Sequence, residues 1–435
     1  MAGTVDTGAT GEARRAAFAA GLRERVLPLR AQAEVRNDWL RQRLEAILPE
    51  LLAREGFDMW IVAAREYNED PVIMTLLPEP AMAARRRTIL VFSRRPDGGV
   101  DRFTLDRYGF GDFYAKGWDP DAEEQDDALA RLVRERDPQA IGLNISETFA
   151  FGDGLTHQEY TQVMAALGPT YGDRVHGAER LCVGWLERRI PAELAVYPDL
   201  VALGHDLIAE MFSPRTIRPG ITTTEDVVWW LRQTMQDAGL RAWFQPSISI
   251  QARGRRFDDK EARRAAILPG DVLHCDVGFY SLGLATDQQQ HAYVLRPGEV
   301  EAPAGLRAAL AAANRLQEIH LAAMAVGRTG NEVLHAALAQ AREEGLTPSI
   351  YSHPLGYHGH AAGPTIGLWD HQEGVPGRGD YAIFDDTCYS IELNARHPVP
   401  EWDGQEVRIA LEEDAALTGG AITWLHGRQA AYHLI

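Results

Sequence analysis

The sequence predicts a mixed α/β protein with two domains. The chain has 435 residues, of which 45% are apolar and 24% charged, enough for two separate cores. In the N-terminal part, short apolar runs alternate with helical patterns, which is typical of an α/β domain. In the C-terminal part, long amphipathic helices flank strands that carry acidic residues. We expect a disordered tail at 1–12, a first domain at 13–185 and a second at 186–435.

The first domain is predicted to begin with helices and to continue as a sheet. Residues 13–55 are rich in Ala, Arg, Leu and Glu with a helical period. A further helix is expected at 126–136. Apolar runs bounded by Pro, Gly and Asp predict strands at 57–64, 88–92, 101–105 and 140–144.

The second domain is predicted to begin with a helix that ends near residue 213. Thr222 or Thr223 is expected to cap the next helix, with Glu225 or Asp226 in its first turn. A strand at 246–250, a basic loop at 253–264 and a turn at 269–271 lead to a strand pair that closes at 296–299. Amphipathic helices are then expected at 306–325 and from residue 330 onward.

The composition argues against several classes of partner. The formal net charge is −18, whereas nucleic acids and anionic membranes require a basic surface. The three cysteines lack metal-ligand spacing and do not predict a disulfide framework. No apolar signal core and no membrane-spanning segment are apparent in the sequence, so we expect a cytoplasmic protein.

Carboxylates and a histidine follow one another in an order that predicts a metal centre. Asp276 ends an apolar run, and Asp287 follows eleven residues later. His360 lies in a Gly-His-x-x-Gly motif, and Glu392 and Glu406 come after it. Oxygen and nitrogen ligands of these types, on neighbouring strands, suffice for two divalent ions.

These residues resemble the creatinase/prolidase/methionine-aminopeptidase family, and most of all its Xaa-Pro aminopeptidases and dipeptidases. The resemblance rests on the Arg-Arg-Ile-Pro-Ala-Glu segment at 188–193, the Arg-Pro-Gly turn at 218–220 and the five ligands in family order. It covers about 186–420 closely and the N-terminal half only in architecture. It implies a creatinase-like α/β domain followed by a C-terminal pita-bread domain.

The resemblance also implies a ligand set and a chemistry. Asp276, Asp287 and Glu406 would hold one ion, and the other would lie among Asp287, His360, Glu392 and Glu406. Mn²⁺ is the first choice, with Zn²⁺, Co²⁺ and Fe²⁺ compatible. A water activated by both ions would attack the amide bond before proline, with Glu392 transferring the proton. His371, together with His274 or Arg408, would stabilise the oxyanion.

The sequence departs from the family pattern at several histidines. The histidine that family peptidases usually carry upstream of the first Asp is missing from 250–257. His274 stands two residues before Asp276, where it could be a ligand, a residue that orients one, an acid/base or a buried structural histidine. His353 and His358 compete with His360 as ligands and are otherwise expected to bind substrate, as is Arg408.

Other assignments also remain open. Glu412 and Glu413 are rivals of Glu406. Arginines of the loop 253–264 could bind a substrate carboxylate or form an interface.

The predicted function is hydrolysis at an Xaa-Pro bond, with a small peptide or another small molecule as substrate. Creatinase-like C–N cleavage and single-metal lyase chemistry remain alternatives on the same fold, and a non-catalytic scaffold is a third. The resemblance also implies a homodimer, in which the segments 65–70 and 110–114 would help to close the partner's site.

Overall fold

A computed structural model describes residues 9–255 and 266–435. Its contacts divide the chain into two compact units. One is Leu29–Ala192, and the other joins Glu193–Ile435 to the segment that ends at Pro28. Residues 1–8 of the tail predicted at 1–12 lie outside the described residues. The rest of that segment is helical, because the first helix, α1 (Ala9–Arg25), begins at Ala9.

The unit Leu29–Ala192 is a six-stranded sheet with helices. The strand order is β4-β3-β2-β1-β5-β6, with β1 antiparallel to β2 and parallel to β5. Its helices are α2 (Leu29–Arg54), α3 (Ile73–Leu76), α4 (Gln125–Arg136), α5 (His157–Gly172) and α6 (Glu179–Glu187). Its strands are β1 (Met59–Arg65), β2 (Arg87–Arg94), β3 (Val100–Thr104), β4 (Ala115–Lys116), β5 (Ile141–Leu143) and β6 (Val175–Gly177).

The predicted strands and helix of this unit are confirmed to within two residues at each end. They form because continuous apolar runs bury both faces of the central strands; six of the seven residues of β1 are buried. Ile61 and Val91 belong to the core that α4 covers with Leu129 and Leu132.

In its described residues, the second unit contains α1, four further α-helices and four small sheets. The helices are α7 (Pro191–Met211), α8 (Thr224–Ala238), α9 (Ala304–Ala323) and α10 (Gly330–Glu343). The sheets have the orders β20-β12-β9-β8, β13-β16-β17, β14-β15-β18-β19 and β11-β10-β7. The strands are β7 (Arg241–Ala242), β8 (Ser247–Gln251), β9 (Val272–Val277), β10 (Phe279–Ser281), β11 (Leu284–Ala285), β12 (Gln288–Tyr293), β13 (Thr347–Ile350), β14 (His353–Leu355), β15 (Thr387–Ser390), β16 (Leu393–Val399), β17 (Gln405–Leu411), β18 (Asp414–Thr418), β19 (Ala421–Trp424) and β20 (His433–Leu434).

Helix α1 belongs to the second unit, which differs from the predicted boundaries of 13–185 and 186–435. Its residues Leu22 and Val26 share a core with Leu231 of α8. The buried Arg15 of α1 also contacts this unit, with its Nη1 2.7 Å from Asp237 Oδ2. The pattern of α1 shows that it is helical, but the apolar surface it covers lies about 200 residues further along the chain.

Helix capping follows the sequence closely. Thr223 caps α8: its side chain accepts a hydrogen bond from the Asp226 N–H, and the Asp226 carboxylate accepts one from the Thr223 N–H. Thr329 and Glu332 repeat this capping box at α10. Each cap contributes about 1 kcal/mol. Among the described helices, none combines the length and apolar character that crossing a bilayer requires.

Two of the sheets meet where the acidic residues gather. Gln289 of β12 and Glu412, in the turn between β17 and β18, exchange backbone hydrogen bonds of 3.0 and 3.1 Å. This bridge attaches the β9–β12 pair to the C-terminal strands. It brings residues 123 positions apart in sequence into one cluster.

Candidate metal centre

The site begins on the antiparallel pair β9–β12. Asp276 lies opposite Gln289, and His274 lies opposite His291. Because side chains alternate along a strand, Asp276 and His274 point to the same face of the sheet. Asp287 immediately precedes β12, and its N–H donates to the Asp414 carboxylate at 3.2 Å.

Three further residues reach the same place from the C-terminal strands. Glu412 follows β17, Glu392 lies between β15 and β16, and His353 begins β14. His353 pairs with Ser390, whose hydroxyl donates to Glu412 Oε1 at 2.6 Å. The pairing of β14 with β15 therefore determines which histidine enters the cluster.

The side chains form three overlapping groups, and within each group the potential ligand atoms lie within 4.8 Å of one another. His353 Nε2 is 3.6 Å from Asp287 Oδ2 and 3.4 Å from Glu412 Oε1. Asp287, His353 and Glu412 are each shared by two groups. The groups are Asp276–Asp287–Glu412, His353–Glu392–Glu412 and Asp287–His353–His360.

The electrostatics of the cluster fit divalent cations. Burial raises the pKa values of Asp276, Asp287 and Glu392 well above the usual range, and the charge of Glu412 raises each further. Asp287 Oδ1 and His353 Nε2 are buried without a hydrogen-bond partner. Buried carboxylates at this density are stable only when protonated, paired or bound to metal. The donor set of oxygens plus imidazole suits hard to intermediate ions such as Mn²⁺ or Zn²⁺.

Glu406 is not part of the cluster, and this corrects its assignment as a ligand. Its side chain is exposed at the start of β17, whereas Glu412 is buried, with 1% of its surface accessible. Six residues of strand separate the two positions, which corresponds to about 20 Å. The bridge to Gln289 selects Glu412, the rival that the sequence left open.

Two histidines of the predicted loop reach the cluster. His353, predicted to bind substrate, is buried between two carboxylates. His360, predicted to be a ligand, lies beside it, with the two ring centroids 4.6 Å apart. Unlike His353, His360 is partly open to solvent. The Trp243 ring packs edge-on against His360 at 5.2 Å. Loss of hydration, together with His353, lowers the pKa of His360 to about 4, so its ring is neutral above that pH.

His371 does not reach the cluster, which corrects its assignment as a catalytic residue. It lies in a turn with 59% of its side chain exposed, and its Nδ1 is 3.0 Å from Asp370 Oδ1. His358 is half-buried in the loop that carries His360, and none of the three ligand groups among the described residues includes it.

His274 lies behind the cluster instead of within a ligand group. Its Nε2 is 2.8 Å from Gln289 Oε1, and its Nδ1 is 3.4 Å from Ser249 Oγ. Burial, and secondarily the charge of Arg408, lowers the pKa of His274 to about 4. Burial also lowers the pKa of Arg408, and the charge of Glu392 opposes that shift.

Several residues of the site were not predicted. Gln289 donates to both Glu392 and Glu412, Ser390 donates to Glu412, and Asp414 holds the Asp287 backbone. The acidic run at 412–414 was a visible signal for one of these positions, Asp414. Of the basic loop 253–264, residues from 256 onward lie outside the described part of the chain, and Arg253 pairs with Asp403 at 2.6 Å.

The chain is similar to known proteins in sequence and in fold. The model of metallopeptidase family M24 matches residues 200–418. Among solved structures, an X-Pro aminopeptidase from Thermotoga maritima MSB8 aligns with a TM-score of 0.63 at 16% identity, covering 89% of this chain and all of the other. An Xaa-Pro dipeptidase from Bacillus anthracis gives a TM-score of 0.59 at 16% identity, with 93% and 100% coverage. A proline aminopeptidase P II from Yersinia pestis gives 0.59 at 15% identity, with 89% and 95% coverage. No curated protein sequence matches significantly.

Proposed function

The chain belongs to metallopeptidase family M24, and we propose that it is a two-metal peptidase that cleaves the amide bond before proline. One observation carries the proposal: the three ligand groups overlap and share Asp287, His353 and Glu412. In two-metal sites the ions lie about 3.5–4 Å apart, and shared carboxylates bridge them. Asp276 would complete one ion's shell and Glu392 the other's.

The residues of the cluster would act as metal ligands, and Glu392 would in addition transfer a proton. A pair of divalent ions bound there would supply Lewis acidity and lower the pKa of a water from about 15.7 toward 7. Glu392 keeps Oε2 available while Gln289 holds its Oε1 at 2.9 Å. Glu392 Oε2 would therefore accept the proton of the attacking water and deliver it to the leaving nitrogen.

His360 would assist the reaction from the outer side of the cluster. Its ring is neutral above about pH 4 and can donate an N–H to the oxygen of the scissile carbonyl as negative charge develops there. This role replaces the one predicted for His371. His353, which lies between Asp287 and Glu412, takes the ligand role predicted for His360.

The substrate class is inferred from the surroundings and from the names of the similar structures. Trp243 and Tyr351 flank His360, with Tyr351 at 5.8 Å between ring centroids. Aromatic walls suit a proline ring, and the imide nitrogen of an Xaa-Pro bond offers no N–H for recognition. The solved structures named for Xaa-Pro cleavage share this fold.

The test is a substrate panel on protein stripped of metal and reconstituted with Mn²⁺. Gly-Pro, Ala-Pro and Ala-Pro-Ala are compared with Gly-Ala, Ala-Ala and small C–N and C–S compounds, with metal content measured on the same samples. We expect the wild type to cleave Xaa-Pro substrates only and to bind close to two ions per chain. Asp287→Asn should lose both the cleavage activity and the bound metal. Cleavage of the dipeptides alone would identify a dipeptidase. Turnover of a C–N or C–S compound without Xaa-Pro cleavage would reject the peptidase assignment in favour of the alternative chemistry.

A further inference from the structure

Two neighbouring glutamines of β12 begin matching chains of hydrogen bonds. In each chain, a histidine Nε2 meets the amide oxygen of the glutamine, and the amide nitrogen donates to a glutamate. The chains are His274–Gln289–Glu412, with distances of 2.8 and 2.6 Å, and His433–Gln290–Glu413, with distances of 2.8 and 2.8 Å. Adjacent strand residues point to opposite faces, so the chains diverge. The first chain ends in the metal cluster and the second does not.

The Gln289 amide connects two ligands of the cluster. Its nitrogen donates to Glu392 Oε1 at 2.9 Å and to Glu412 Oε2 at 2.6 Å. A primary amide has two N–H donors, so these carboxylates use both. One side chain thus fixes the spacing and rotation of two glutamates, and Glu412 is shared by two ligand groups.

The orientation of this amide is determined by its neighbours. In the ionised form that a metal requires, the two carboxylates on one side accept hydrogen bonds only, so they face the NH₂ group. The oxygen of Gln289 then faces His274 Nε2, which must carry a hydrogen. On the other side of the ring, the Ser249 hydroxyl lies 3.4 Å from Nδ1 and can donate to it. Ser249 and His274 together thereby exclude the flipped amide.

We propose that His274 and Gln289 are positioning residues that hold Glu392 and Glu412 in the geometry required for metal binding. The inference rests on the proposed metal centre, and in it His274 acts only through Gln289. An amide is uncharged, so it orients the carboxylates without competing with a cation for them. A lysine or arginine at the same place would neutralise the ligands that the metal needs.

The experiment compares substitutions that remove the hydrogen bond between His274 and Gln289 with one that keeps it. His274→Leu and Gln289→Leu remove it, whereas His274→Gln restores an N–H near the position of Nε2. Co²⁺ binding is measured by titration calorimetry and by visible absorption of the bound ion. We expect 10- to 100-fold weaker binding and an altered spectrum in both leucine variants, with most of the affinity recovered in His274→Gln.

The matched control is His433→Leu, which breaks the equivalent bond to Gln290 on the other face and should leave Co²⁺ binding unchanged. Wild-type affinity and spectrum in His274→Leu, or an equal loss in His433→Leu, would overturn the proposal. Melting temperatures of the metal-free variants show whether each is folded, and Gln289→Leu provides an independent route if His274→Leu is not. Because the readout is metal binding, a wild type that binds Co²⁺ tightly but cleaves no Xaa-Pro substrate would reject the proposed function alone.

Discussion

Removing one carboxylate from the metal centre should stabilise the metal-free protein. The ligand oxygens of Asp276 and Glu412 lie within 4.8 Å of that of Asp287. At an effective dielectric constant of about 20, each of these pairs repels by roughly 3 kcal/mol when both members are ionised. Protonation of a carboxylate relieves the repulsion. At pH 8 it costs about 1.4 kcal/mol for each pH unit between the carboxyl's ordinary pKa of about 4 and the pH of the solution. Asp287 takes part in two such pairs, and protonation of one partner relieves one of them. We therefore expect Asp287→Asn to raise the free energy of unfolding at pH 8 by about 3 kcal/mol if one repulsion remains and by up to roughly 6 kcal/mol if both do.

The sign of the pH dependence follows from the raised pKa of Asp287. Above about pH 4 the unfolded state releases a proton that the folded state still holds. The wild type therefore loses stability as pH rises from there, because it must either keep this proton or ionise Asp287 against its charged neighbours. The difference between Asp287→Asn and wild type should therefore grow between pH 5 and pH 8. At Oδ1 the substitution loses no hydrogen bond, because that atom is without a partner. Asp287 Oδ2 lies 3.6 Å from His353 Nε2, which is longer than a hydrogen bond.

The assay is urea unfolding in EDTA at pH 5 and pH 8, repeated with excess Mn²⁺. Bound metal stabilises the native state by mass action, so Mn²⁺ should stabilise the wild type strongly and the variant little, which reverses their order. Glu406→Gln, which alters an exposed carboxylate, is the control and should shift the free energy by less than about 0.5 kcal/mol. A metal-free Asp287→Asn variant that is no more stable than wild type at pH 8 would refute the reasoning.

Four more predictions concern the placement of single side chains. Glu412→Gln should abolish binding of at least one ion in elemental analysis, while Glu406→Gln retains wild-type metal content; the reverse result would restore the original assignment. His360→Ala should lower kcat for an Xaa-Pro substrate by about 10²–10³-fold with metal content unchanged. His371→Ala should change kcat less than two-fold, by roughly the noise of the assay. Burial lowers the pKa of His320 to about 4, so its contribution to stability is lost as pH falls from about 6.5; His320→Leu should remove about 2–3 kcal/mol of the wild-type loss between pH 6.5 and 4.5 in urea unfolding.

Local sequence signals predicted the elements whose cause is local. The strands at 57–64 and 88–92 were predicted because each is a continuous apolar run with turn residues at its ends. The cap was narrowed to Thr222 or Thr223 from sequence because a capping box involves only four consecutive residues, and the structure selects Thr223. Helix α1 was predicted as a helix but assigned to the wrong unit, since its partner α8 contributes nothing to the local pattern.

The choice among rival ligands depends on strand pairing, which local spacing does not reveal. The Gly-His-x-x-Gly motif favoured His360, but the pairing of β14 with β15 puts His353 opposite Ser390 and next to Glu412. The sequence favoured Glu406 over Glu412 because Glu406 follows Glu392 by fourteen residues, a spacing that the family resemblance implies. A strand carries its residues about 3.3 Å apart, so an assignment six positions early moves the carboxylate out of the site altogether.

The glutamine run of β12 shows why the residues around the ligands escaped the sequence analysis. Three consecutive glutamines read as a solvent-exposed strand, yet all three are buried. Each amide nitrogen has a distant acceptor: Gln288 donates to the Val201 carbonyl, while Gln289 and Gln290 donate to the side chains of Glu412 and Glu413. A buried amide costs several kcal/mol without such partners, so this strand is stable only once the acidic turn has joined it. The same bonds that make the strand foldable also place the ligands, and for this reason the structure of the strand and the geometry of the site must form together.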